Sequence, residues 1–231
     1  MARIPHAEHH FRASNAVRDI VIGMADGLTV PFALAAGLSS AIESSRLITT
    51  AGIAEIAAGS VAMGLGGYLA ARGDAEHYVR ELQRERQEVK ATPEEEAAEV
   101  VAVFKEYGVS PEQSAPAVAA MCKNRGAWVR FMMRFELGLE PPQPGRATRS
   151  AATIAAAYVV GGLIPIAPYF LFAEVHDALL ASCVVTLVAL ALFGYTKGRI
   201  TGISPWSGAL HTLAIGSAAA AAAFILAKVI S

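Results

Sequence analysis

The run SAATIAAAYVVGGLIPIAPYFLFA, residues 150–173, contains no charged side chain, and its reading decides the fold. A bilayer's hydrocarbon core is about 30 Å thick and an α-helix rises about 1.5 Å per residue, so about 20 apolar residues cross it. Two more charge-free runs follow, Ala178–Thr196 and Ile200–Ala227, and Pro205 suggests that the last helix proper begins near Gly208. Upstream, Ile20–Ile42 carries one charge, Asp26, and Leu47–Ala71 carries one, Glu55. No soluble fold accounts for three long charge-free runs so close together. The chain reads as an all-α membrane protein with five transmembrane helices.

Composition agrees. Of 231 residues 54% are hydrophobic and only 17% charged, and the net charge of -1 suggests no nucleic-acid partner. The charge is unevenly spread: residues 72–146 hold 11 Lys/Arg and 13 Asp/Glu, 24 of the 39 in the chain. That stretch predicts a helical domain inserted between spans two and three. The expected organisation is an N-terminal segment (1–17), spans one and two (18–72), the inserted domain (73–145) and spans three to five (146–231). Lys and Arg collect on cytosolic flanks. Arg12, Arg18, Arg72, Arg146, Arg149, Lys197 and Arg199 therefore place the N-terminus, the inserted domain and the loop between spans four and five in the cytosol. Five spans then leave the C-terminus on the far side.

Span two runs on past Arg72 without a breaker. Thr92-Pro-Glu-Glu then reads as a helix start, with Thr92 as N-cap, Pro93 at the first position and Glu95 completing a capping box. Ser110-Pro-Glu-Gln repeats the pattern, Arg125–Leu139 reads as a third helix, and PPQPG at 141–145 ends the domain. Cys122 and Cys183 form no disulfide framework and read as buried thiols; His6, His9 and His10 read as a solvated tail.

Asp26 and Glu55 stand out. A carboxylate in a span costs about 3 kcal/mol on insertion scales and is borne where it faces a polar path, a partner or a cation. Gly23 and Gly27 permit close helix approach beside Asp26. Pro31 has no N–H for the carbonyl of Gly27, so a kink and an exposed oxygen are expected there. Met63 lies two turns beyond Glu55 on a span rich in small residues. Two carboxylates on adjoining spans point to a lined cation path.

In the inserted domain Glu85 and Glu88, and Glu96 and Glu99, are spaced i, i+3, which puts each pair on one helix face. Glu136 has Met132 and Met133 one turn before it. Such pairs are commonly solvated faces, here helped by Arg84, Arg86 and Arg134. Were they ligands, mixed carboxylate and thioether donors would point to a divalent transition metal, iron(II) ahead of calcium or magnesium. No zinc-type Cys/His spacing, phosphate loop or nucleophile elbow is present, so nothing suggests ATP-driven work.

The stretch DGLTVPFALAAGLS at 26–39 resembles the vacuolar iron transporter family, as do AEIAAGSVAMGLGGYLAAR at 54–72, the glutamate-rich insertion and GGLIP at 161–165. The similarity covers nearly the whole chain and is greatest to plant members. It implies a homodimer of five-span protomers in the vacuolar membrane, exchanging cytosolic iron(II) for lumenal protons, with manganese(II), zinc(II) and cobalt(II) as further candidate ions and no resident cofactor. It implies a translocation site of Asp26 and Met63 from both protomers, with Glu55 on the ion or proton path. It further implies a cytosolic metal-binding domain using Glu85, Glu88, Glu96, Glu99, Glu136, Met132 and Met133. Relatives often carry an acid where this chain has Asn15. The alternative is a membrane-anchored metal binder, ferroxidase-like in its ExxE pairs, although the ExxH motif of di-iron bundles is missing.

Overall fold

The computed structural model describes residues 15–230. His6, His9 and His10 lie outside the described residues. The elements in order are α1 (Asn15–Ser39), α2 (Ser45–Ala91), α3 (Pro93–Glu106), α4 (Pro111–Cys122), α5 (Arg125–Phe131) running into a π-helical turn (Met132–Glu136), α6 (Arg146–Ile166), α7 (Pro168–Leu171), α8 (Val175–Thr201) and α9 (Pro205–Ile230). No strand occurs among the described residues. Five helices, α1, α2, α6, α8 and α9, are long and apolar enough to cross a membrane. The described residues divide into two compact units: 15–68 with 147–230, and 69–146.

Helix ends differ from the sequence reading where proline and turn chemistry intervene. The third span stops at Ile166, not Ala173, because Pro165 and Pro168 have no N–H for the carbonyls of Gly161 and Ile164; the chain restarts as the short α7. The fifth begins at Pro205 itself rather than near Gly208, since the first helical position has no amide partner to lose. The first ends at Ser39 rather than Ile42, where Ser40 and Ala41 donate back to the carbonyls of Gly37 and Leu38. Between the last two spans Gly202 takes φ 74°, left-handed backbone that closes α8.

In the apolar unit α6 packs against both α1 and α2. A Cβ on Gly23 would fall on the carbonyl of Ile154 and one on Gly27 on that of Tyr158, so the small pair on α1 is the seam along which α6 approaches. α1 continues through the fully buried Pro31. Ala35, Ile48, Ile56, Ile166, Tyr169, Val175 and Ala178 form one core cluster, and Phe32, Ala36 and Ala220 a second, against which Cys183 packs. Ser182 Oγ donates to the Pro165 carbonyl at 2.7 Å in the buried interior, tying α8 to the proline-broken end of α6.

The charged unit has its own core of Val89, Val100, Val118, Trp128, Val129, Met132 and Met133, with Cys122 at its edge. The Ser110 capping box forms: Ser110 Oγ accepts from the Gln113 amide at 3.4 Å, and Gln113 Oε1 accepts from the Ser110 amide at 3.0 Å. The box expected at Thr92 does not. Thr92 alone separates α2 from α3 and is the N-cap of α3, with Pro93 at the first position and its carbonyl accepting from the Glu95 and Glu96 amides, but its hydroxyl, like its amide, donates back to the Glu88 carbonyl and caps nothing. The third helix expected over 125–139 is α-helical only to Phe131. Beyond it the backbone widens into a π turn, with the Leu137 amide donating to the Met132 carbonyl at 3.1 Å.

Candidate functional site

In the apolar unit the site is built around Tyr158 of α6. Its hydroxyl donates to Oε1 of Glu55 on α2 at 2.5 Å. Gly59, one turn on from Glu55, makes this possible, because a Cβ there would collide with the Tyr158 hydroxyl. Oε2 of Glu55 is buried without a hydrogen-bond partner, which leaves a carboxylate oxygen able to take a proton or a cation. Asp26 of α1 is half-buried and adjoins Gly27, which packs directly on the Tyr158 backbone. One carboxylate thus bonds the phenol of α6, and a second stands beside the seam where α1 meets the same residue. Met63 is half-buried, two turns beyond Glu55 on α2.

Sequence reading missed Tyr158. Its signal was available: a polar-tipped aromatic in a charge-free run, opposite the gaps left by Gly27 and Gly59. A buried phenol needs a hydrogen-bond partner, and within the spans few groups offer one.

In the charged unit Glu85 and Glu96 are 2% and 4% exposed, and each has one carboxylate oxygen buried with no hydrogen-bond partner. Burial, then the charges of Glu136 and Glu88, raises the carboxyl of Glu85 to about 7, against the relief offered by Arg84. Burial, then Glu99 and Glu85, raises that of Glu96 to about 7. Burial, then Glu99, raises Glu136. Glu85, Glu88, Glu96, Glu99 and Glu136, from α2, α3 and the π turn, thus lie within electrostatic reach of one another. Glu88 is half-buried; Glu99 and Glu136 are exposed. Met132 and Met133 are fully buried in the apolar core of the unit, on the same turn as Glu136. Among the described residues no three His, Cys, Asp or Glu side chains stand close enough to hold an ion together. Uncompensated carboxylates repel one another, and Arg84 holds Glu88 aside at 3.3 Å.

The sequence was compared with known proteins. Residues 17–228 match the VIT family. "Vacuolar iron transporter 1" of Arabidopsis thaliana is 58% identical over 225 residues, spanning 97% of this chain and 90% of the relative. "Vacuolar iron transporter 2" of Oryza sativa subsp. japonica is 56% identical, spanning 97% and 92%. "Protein CCC1" of Saccharomyces cerevisiae is 34% identical over 93% of this chain and 69% of its own length. The two plant relatives are transporters by name, consistent with a non-enzyme. With a family match running almost end to end and close relatives covering both units, the chain belongs to the VIT family.

Proposed function

We propose that the protein carries iron(II) from the cytosol into the vacuole in exchange for protons. One observation carries the reading: of the carboxylates in two otherwise charge-free stretches, Glu55 accepts from the Tyr158 hydroxyl and keeps a buried oxygen unpaired, and Asp26 adjoins Gly27, which packs on the Tyr158 backbone. An inert anchor gains nothing from bearing their insertion cost. A carboxylate cannot favour a proton and a metal cation at once. Protonation from an acidic lumen therefore expels the ion, and loss of the proton to the cytosol restores the site.

In this reading Asp26 and Met63 of two protomers bind the partly dehydrated ion, and Glu55 with Tyr158 passes the proton. A homodimer is supported by exposed small residues on α2, among them Ala54, Ala58, Ala62 and Gly66, which allow close helix approach. The positive flanks put the N-terminus and the charged unit in the cytosol and the C-terminus in the lumen. The charged unit serves as a metal-binding domain. Its fitness for a divalent cation rests on the orphaned oxygens of Glu85 and Glu96; Glu88, Glu99 and Glu136 close in on the ion to complete the oxygen set, and Met132 and Met133, on the same turn as Glu136, offer soft thioethers. That donor set suits iron(II), manganese(II), zinc(II) and cobalt(II).

The test is iron(II) uptake into proteoliposomes with an acidic interior, comparing wild type with Asp26→Ala. Uptake that requires the pH gradient and disappears in the variant supports exchange through the spans. Gradient-independent or absent uptake by wild type, with metal binding intact, overturns it.

A further inference from the structure

We propose that Arg84 is the resident counter-cation of the glutamate cluster: it yields Glu88 to an arriving divalent metal ion and is then held by Glu81. The inference rests on the reading that this cluster binds metal.

Glu81, Arg84, Glu85 and Glu88 occupy i, i+3, i+4 and i+7 on α2 and therefore share one face. Arg84 touches all three acids. Its Nη1 is 2.8 Å from Glu81 Oε2, its Nε 3.3 Å from Glu88 Oε2, and its Nη2 3.8 Å from Glu85 Oε1. The nearest partner is thus Glu81, which the family resemblance does not assign to the metal. The contacts to Glu88 and Glu85 are the longer and weaker ones.

A guanidinium has donors only and stays charged at any working pH, so it can neutralise these carboxylates but cannot ligate a metal. A dication placed on Glu85 and Glu88 would sit against that guanidinium. The repulsion is relieved if Arg84 leaves Glu88. Two features let it do so. Its side chain is 51% exposed, so water can replace a contact it gives up, whereas that of Glu81 is 18% exposed. The other oxygen of Glu81 lies 3.7 Å from His77 Nδ1, so a protonated imidazole would add a second cation beside the carboxylate that receives Arg84. The device makes the metal-free cluster tolerable, and it keeps the metal-bound state from becoming so tight that the ion cannot be passed on.

The test is manganese(II) binding to the full-length detergent-solubilised protein, by titration calorimetry and by loss of the free-ion EPR signal. Wild type, Arg84→Gln, Glu81→Gln, the double variant and Glu96→Gln are compared. Arg84→Gln should tighten binding about threefold, the range of a partly exposed ion pair. Glu81→Gln should weaken it about threefold, because Arg84 then stays on Glu88. In the Arg84→Gln background, Glu81→Gln should change nothing, since Glu81 acts only through Arg84. If Glu81→Gln weakens binding equally in both backgrounds, Glu81 acts as a ligand or through its field and the inference is overturned. If Glu96→Gln leaves wild-type affinity unchanged, the cluster is not the metal site, and the parent reading falls together with this one.

Discussion

The Tyr158 hydroxyl donates to Oε1 of Glu55 across 103 positions of sequence, joining α6 to α2 within the apolar unit. Tyr158→Phe keeps the ring that fills the gap at Gly59 and removes only the donor. Hydrogen bonds to charged groups are worth about 2 kcal/mol, more than a tenfold change in an equilibrium. Iron(II) uptake by Tyr158→Phe should therefore fall about tenfold, with the detergent melting temperature little changed. Unchanged uptake would show that Glu55 works without its phenol.

The α1–α6 seam should be intolerant of bulk. In Gly27→Ala the added methyl meets the Tyr158 backbone carbonyl, which cannot rotate away. Overpacking of this kind costs about 1–3 kcal/mol. Thermal unfolding in detergent should show a clear loss for Gly27→Ala and none for Gly73→Ala, where nothing lies within 4 Å of the new methyl. Equal melting of the two variants would refute the seam.

Glu85 and Glu96 set a pH dependence whose sign can be worked out. Their carboxyls rise from 4.5 to about 7 on folding, mainly through burial. Between those values the folded protein holds protons that the unfolded chain has released, so stability is fullest at the acid end and is lost as pH rises towards 7. Metal must displace the same protons, so affinity runs the other way and climbs with pH over the window. The metal-free protein should melt lower at pH 7.5 than at pH 5.5, saturating manganese(II) should reverse the order, and Glu96→Gln should flatten both trends.

Met132 and Met133 sit in the apolar core and also on the turn that carries Glu136, so packing and ligation must be separated. Replacing both by Leu conserves volume and should cost less than about 1.5 kcal/mol each. If the thioethers reach the ion, zinc(II) affinity should drop several-fold while manganese(II), which prefers oxygen, holds. Equal retention of both ions would reduce the methionines to core residues.

Much of this was legible in advance, and for identifiable reasons. The spans follow from hydropathy and length alone, and the Gly23–Gly27 pair announced a close contact without naming its partner. The capping box at Ser110 was readable because every group it needs lies within four residues. At Thr92 the N-cap position and Pro93 were readable but the box was not, because the hydroxyl turns back to the Glu88 carbonyl at the end of α2, and a helix's far end is not a local property. The π turn at Met132–Glu136 left no mark in a sequence that scans as ordinary helix.

By itself, the sequence determined how many helices cross the membrane, where charge is concentrated and which carboxylates stand in apolar surroundings. Each of these is a property of one stretch of chain set against one solvent. Only the tertiary structure decided that Tyr158 meets Glu55, that five glutamates from three elements share one field, and that Arg84 stands among them. Those relations depend on which helix faces pack together. Packing is fixed by the fit of small residues against bulky ones across long separations, which no local pattern encodes.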